Sequence, residues 1–304
     1  LGDLVDDEMD LYPALNAVTT LLGVPWFHVP GNHDVDPGAS ADEGSLARWS
    51  AVYGPDTYAV EEGGAAFVFL DDVILQPGQA PAYVGGLREA QFAFLENYLA
   101  QLPRERLLVL GMHIPVFDTG GRPTFRAADR ARLFALLRER PRVLLLSGHS
   151  HVQQHYWHGE KDGWQGPVPL HEYNLGAACG AFWSGAPDAL GIPDATMADG
   201  TPNGYAIYNI KGATITDWVY KGTGLDAQQQ IRLYRANDIR LHTKGDEALF
   251  EDAKGKVRHC KQGDTPPATA TAPATTTAAA TAAATKPAVS SFIDISGNVS
   301  YLQR

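Results

Sequence analysis

Three times in this chain a short apolar run ends in a loop that carries glycine and histidine, and this recurrence constrains the fold more than anything else in the sequence. Trp26-Phe27-His28-Val29 runs into Pro30-Gly31-Asn32-His33-Asp34. Leu107 to Leu110 runs into Gly111-Met112-His113-Ile114-Pro115, and Val143 to Leu146 into Ser147-Gly148-His149-Ser150-His151. Apolar runs this short, bounded by turn residues, read as buried strands. Helical spacing occupies the intervals. Leu11, Leu15, Val18 and Leu22 predict an amphipathic helix over residues 8–22, which Gly23 ends. Leu87, Phe92, Leu95, Leu99 and Leu102 predict a second over 87–102, and a third falls near 127–140. Alternating helices and strands point to a layered α/β fold, in which ligand chemistry gathers at the carboxyl ends of the strands. Tyr58 to Val60 and Ala66 to Leu70 flank Glu61-Glu62-Gly63-Gly64 and read as a hairpin.

The texture changes after residue 160 to Gly, Pro and Trp with short alternating strands. Tyr205 to Ile210 and Ala213 to Tyr220, joined at Lys211-Gly212, form the clearest hairpin. The expected organisation is a core over 1–156, a β-rich cap or the start of a C-terminal domain over 157–235, and an unassigned stretch over 236–264. A Thr/Ala/Pro-rich tail covers 265–304. Within it, residues 265–291 are too poor in apolar side chains to offset ordering entropy and are expected to form a linker without a fixed fold.

Bulk properties exclude several functions. The 304 residues carry a formal net charge of -11, a sign that repels phosphate backbones and argues against sequence-independent nucleic-acid binding. The two cysteines, Cys179 and Cys260, supply neither a disulfide framework nor a thiolate zinc site. No apolar run approaches the roughly 20 residues of a membrane-spanning helix.

The chemistry lies in four polar clusters: Gly2-Asp3-Leu4-Val5-Asp6, Gly31-Asn32-His33-Asp34, Gly111-Met112-His113 and Gly148-His149-Ser150-His151. Asp3 offers a carboxylate, Asn32 an amide oxygen, and His113, His149 and His151 offer imidazoles. Such an N/O set without thiolate suits Zn, Mn, Fe or Co rather than calcium or a structural zinc. In an extended loop, His149 and His151 would face the same side. A single histidine is most often structural; an ordered set of loops carrying them after strands points to metal.

The ordered set G-D-x-x-D, G-N-H-D, G-x-H and G-H-x-H resembles the calcineurin-like metallophosphoesterase superfamily over residues 1 to about 155. From residue 157 onward, Asp162-Gly163-Trp164, Cys179 to Gly185, Gly191-Ile192-Pro193-Asp194 and Asp199 to Tyr205 resemble a bacterial subgroup with a C-terminal β domain. The resemblance implies a four-layer α/β/β/α core followed by a β-rich C-terminal segment. It also implies metal-dependent hydrolysis of phosphoric esters of small molecules at two divalent ions. Asp3 would bridge the two ions, Asn32, His113 and His149 would complete the second site, and His151 would serve the first. His33 would act on the substrate, with Asp34 holding its imidazole. The superfamily opens with a strand bearing an Asp and, two residues on, a His or Gln. This chain begins at Leu1-Gly2-Asp3, after that point, so the first site is expected to be incomplete and the chain to be a fragment, with a degenerate relative as the alternative. The subgroup also implies export across a bacterial inner membrane.

Two other functional readings stand beside this one: hydrolysis of a pyrophosphate linkage in a nucleotide-sugar, and a non-catalytic binding relative. A third, an adhesion or scaffold module, draws only on the tail and cap. Asp71-Asp72 follows a strand and could reach a metal, but reads first as a solvated strand end. His155, His158, His171 and Glu172 are weaker candidates for a substrate cleft. Trp157, Trp164 and Trp183 are expected to pack the cap, and His28 to be structural.

Overall fold

The computed structural model describes residues 1–232 apart from 184, 186 and 188–190, and beyond them only the strands 240–244, 247–251, 257–259, 289–293 and 299–303. The chain divides into two compact units, Leu1–Ala227 and Gln228–Arg304.

Four helices precede or alternate with the strands of the first unit: α1 (Tyr12–Thr20), α2 (Ala47–Tyr53), α3 (Glu89–Gln101) and α4 (Ala127–Leu137). Its strands are β1 (Thr57–Glu62), β2 (Ala65–Leu70), β3 (Val73–Leu75), β4 (Tyr83–Gly85), β5 (Leu107–Gly111), β6 (Val143–Ser147), β7 (Gln154–His158), β8 (Leu170–Asn174), β9 (Gly204–Lys211) and β10 (Thr214–Gly222). A six-stranded sheet has the order β1-β2-β5-β6-β8-β7. Neighbours β2, β5, β6 and β8 run parallel, while β1 and β7 close the edges antiparallel. The carboxyl ends of the four parallel strands therefore lie along one edge.

Helices α3 and α4 cover one face of this sheet. Phe92 and Leu95 of α3, and Leu133, Phe134 and Leu137 of α4, pack with Val68, Leu108, Leu110 and Leu145 in one buried cluster. Each such side chain contributes on the order of 1.5–3 kcal/mol by leaving water. The opposite face, through Ala65, Leu107, Val109 and Leu144, packs against Tyr208, Ile210 and Ile215 of the β9–β10 hairpin. Helix, sheet and second β layer thus stack as the α/β/β part of the expected sandwich. Helices α1 and α2 instead form their own cluster with Met9, Tyr12, Leu46 and Trp49.

Three sequence expectations change. The helix over 8–22 resolves into a single 3-10 turn, Met9–Leu11, followed by α1, and it buries Met9 and Tyr12 while leaving Leu11, Val18 and Leu22 exposed. The tyrosine hydroxyl has a buried partner in Asp34, which rotates the helix away from the face that aliphatic spacing alone selects. Trp26 to Val29 forms no strand; only Val29 is buried, and Trp26 and Phe27 are 47% and 48% exposed. No described strand pairs with its backbone. Asp71 and Asp72 are fully buried rather than solvated.

In the second unit, Arg240–Lys244, Glu247–Glu251 and Val257–His259 form a three-stranded antiparallel sheet, and Val289–Ile293 pairs with Val299–Gln303. The expected linker over 265–291 lies outside the described residues up to 288; from 289 it enters this last hairpin. Among the described residues no helix is long and apolar enough to cross a membrane.

Candidate metal centre

Three parallel strands deliver polar residues to one edge: β2 ends at Asp71-Asp72, β5 at the loop with His113, and β6 at the loop with His149 and His151. The two histidine loops are stitched together by Gly148 N–H donating to the His113 carbonyl at 2.9 Å and Met112 N–H to the Leu146 carbonyl at 3.0 Å. Buried polar side chains brace both loops. Asp72 accepts His113 N–H at 2.9 Å and Ile114 N–H at 3.0 Å. Glu172 of β8 accepts Val116 N–H at 3.0 Å and the Ser147 hydroxyl at 2.9 Å. Asn174 donates to the Val152 carbonyl at 2.7 Å and the Ser150 hydroxyl oxygen at 2.5 Å. Burial raises the Asp72 carboxyl to about 7, against the opposing charge of His113 and the two N–H bonds.

The donors converge on one atom. His113 Nε2 lies 3.2 Å from Asp3 Oδ2, 3.1 Å from Asn32 Oδ1 and 3.1 Å from His149 Nδ1. Metal–ligand bonds of about 2.1 Å place neighbouring ligand atoms about 3.0 Å apart in an octahedron and about 3.4 Å apart in a tetrahedron. The observed spacings fall in this interval, and the donor types suit a transition metal. Asp3, Asn32, His113 and His149 therefore fit one divalent ion. The other nitrogen of His113, Nδ1, sits 2.8 Å from the Leu1 carbonyl; donation there fixes the tautomer that leaves Nε2 free for a metal.

Electrostatics favour the ligating forms of Asp3 and His149, whereas at His113 burial is outweighed by the hydrogen bond and charge of Asp3, which raise the imidazole so that a metal competes there with a proton. Burial opposes the charge of Asp3, but the hydrogen bond and charge of His113, with the N–H of His33, hold its carboxyl at about 2. Burial and the neighbouring His113 push His149 down to about 4, which keeps the imidazole neutral. The backbone is tailored as well. Asp3, His149 and His151 have φ of 52°, 67° and 51°, left-handed conformations that cost energy for non-glycine residues. A Cβ on Gly31 would overlap the Asp3 carboxylate, so only glycine lets the two loops meet here.

The remaining candidates lie around this centre. His151 is not in the converging group; its Nδ1 is 2.7 Å from the Gly180 carbonyl and its ring stacks on Phe182. Donation from Nδ1 leaves its Nε2 able to ligate. His33 Nδ1 faces Asp7 Oδ1 at 3.0 Å and Asp6 Oδ1 at 3.3 Å, a second cluster of metal-type donors. Asp34 does not hold this imidazole. Its carboxylate accepts Leu4 N–H, Gly31 N–H and the Tyr12 hydroxyl, which makes it the clasp between the Asp3 and Asn32 loops. Asn32–Asp34 is a 3-10 turn, so successive side chains leave it in different directions.

The sequence reading passed over Asp7 and took Asp72 for a solvated strand end. The only available signal for Asp7 was its place in the acidic run after Asp3. Glu172 and His158, weak cleft candidates by sequence, form a fully buried pair at 2.8 Å and do not line a cleft. Trp164 is buried as expected, whereas Trp157 and Trp183 are exposed.

Fold and site together define an α/β protein that gathers metal-type donors at the carboxyl edge of a parallel sheet. Residues 1–153 match the family described as calcineurin-like phosphoesterase, and residues 172–272 match the C terminal of calcineurin-like phosphoesterase. The chain belongs to the calcineurin-like phosphoesterase family. It is 34% identical over 161 residues to a probable cyclic nucleotide phosphodiesterase of Rhodopseudomonas palustris, covering 49% of this chain and 54% of that protein. It is 30% identical over 90 residues to Cell division control protein 1 of Saccharomyces cerevisiae, covering 29% of this chain and 17% of that protein. A purple acid phosphatase from yellow lupin seeds overlays 85% of this chain and 44% of its own at TM-score 0.44 and 14% identity. The chain thus spans about half the length of the bacterial relative and less of the others.

Proposed function

We propose that this chain carries out metal-dependent hydrolysis of phosphoric esters, with the ion held by Asp3, Asn32, His113 and His149. The observation that carries the reading is the approach of three donors to His113 Nε2 at 3.1–3.2 Å. When bound, a divalent ion supplies Lewis-acid polarisation of a phosphoryl oxygen. The chain's own groups do the rest. Asp7 accepts from His33 Nδ1, and in the imidazolium form Nε2 can then donate a proton to the departing alkoxide or a hydrogen bond to a phosphoryl oxygen. Asp34 fixes the turn that presents His33 and Asn32 together. A second ion, shared by Asp3 and served by His151, belongs to the same proposal. The free Nε2 of His151 supports it, and family membership favours it.

Among ester classes, the bacterial relative's name as a probable cyclic nucleotide phosphodiesterase favours diesters. The test is turnover of a chromogenic aryl phosphodiester by manganese-loaded protein beside a chelator-treated sample. Hydrolysis that disappears with the metal and returns on its addition is expected. Turnover indifferent to the chelator would overturn the reading.

A further inference from the structure

Beside the donor group lies a cleft of about 330 Å³. Asn32 and Asp7 form its border with the centre, and the Tyr83 ring, which lines it, packs edge-on to His149 with centroids 5.8 Å apart. A phosphoester held at the centre therefore has its organic substituent next to this space, whose volume matches the lower range of small-molecule pockets.

The walls have a definite chemistry. Val35, Pro37, Val73, Leu75 and Tyr83 make them largely apolar, and the charged residues of the lining are Asp7 and Asp36. Among the described lining residues none is Lys or Arg. Asp36 accepts Arg48 N–H through Oδ2 at 3.2 Å, while its Oδ1 is buried without a hydrogen-bond partner. The nearby guanidinium groups are engaged elsewhere, Arg48 with Asp10 and Arg88 with Asp42 and Asp71. Negative charge in an apolar wall repels a second anion and favours a neutral or cationic group, which an aromatic face such as that of Tyr83 also attracts.

We infer that the cleft selects phosphoesters whose organic substituent is uncharged or cationic, and rejects those bearing a further phosphate or carboxylate. This rests on the proposed hydrolysis and narrows it: linkages to a second phosphate, as in nucleotide-sugar pyrophosphates, are poor substrates.

The test uses the metal-loaded full chain and three chromogenic aryl phosphodiesters that differ in the second alcohol. One carries choline, one its uncharged tert-butyl isostere, and one a carboxylate on a chain of the same length. The carboxylate ester should be at least roughly 10-fold worse in kcat/KM, mainly through KM, as one unneutralised like charge predicts. Asp36→Asn should narrow the gap, and Ala82→Lys, at an exposed position on the cleft wall, should narrow or reverse it. Binding of choline against the free carboxylate-bearing alcohol, followed by NMR shifts of Tyr83, reads the same selectivity without turnover. Equal rates for the three esters would overturn the inference and leave the hydrolase standing. If no ester turned over, the hydrolase reading would fall, and the NMR titration would still decide the cleft: preference for choline supports it, and equal binding overturns it.

Discussion

The Asp72 carboxylate accepts the backbone N–H of His113, so a fully buried acid from the end of β2 fixes the residue on which the metal-type donors converge. The same carboxylate takes Ile114 N–H, and Glu172 takes Val116 N–H from the other side of the loop. The first prediction concerns this brace. Asp72→Asn keeps one acceptor oxygen but puts an NH2 donor where Oδ2 accepts Ile114 N–H, so one side of the brace becomes a donor facing a donor. Manganese or zinc affinity, measured by competition with a fluorescent chelator, should fall by the ~10–100-fold typical of lost support behind a ligand. A lower melting temperature with unchanged affinity would reduce Asp72 to a packing role.

His33 should separate chemistry from metal binding. Its ring faces Asp7 and Asp6 and does not join the donors around His113. His33→Ala should cut turnover of an aryl phosphodiester by ~10²–10⁴, the span expected when a general acid is lost, with metal content unchanged by elemental analysis. Asp7→Asn should give a smaller loss of kcat and alter the pH profile, because the hydrogen bond that orients the imidazole is weakened. Metal lost in His33→Ala would instead make this histidine a ligand.

Gly31 offers a test through backbone alone. A methyl group at this position overlaps the Asp3 carboxylate. Gly31→Ala should therefore displace Asp3 and depress metal binding about as strongly as Asn32→Ala or His149→Ala. Full metal occupancy in Gly31→Ala would show that the carboxylate has another place to stand.

The buried His158–Glu172 pair should matter for stability more than for binding. Both side chains are shielded from water, and Glu172 also holds Val116 and Ser147. His158→Ala leaves a buried acid without its partner, at a cost of roughly 3–5 kcal/mol. Urea unfolding monitored by tryptophan fluorescence checks this; a loss below about 1 kcal/mol would contradict it.

Much of this arrangement was legible because its signals are local. β5 and β6 are short apolar runs that end at the glycine before each histidine loop, and Leu107–Gly111 and Val143–Ser147 fall within a residue of their expected limits. The β9–β10 hairpin announced itself by alternation around Lys211-Gly212. What escaped notice depends on distant partners. Asp72 meets His113 41 residues away, and nothing near Asp72 marks it as buried. The family resemblance paired Asp34 with His33, yet the turn they share aims their side chains apart. Tyr12 decides which face of α1 is buried by reaching Asp34, 22 residues on, and no aliphatic spacing encodes that bond.

The most direct measurement of the central claim is an anomalous-difference map from crystals soaked with manganese or zinc, recorded at the metal's absorption edge. A peak is expected within about 2.0–2.3 Å of His113 Nε2, His149 Nδ1, Asn32 Oδ1 and Asp3 Oδ2 together. A map with no peak among these four atoms, while metal is bound elsewhere in the protein, would contradict it.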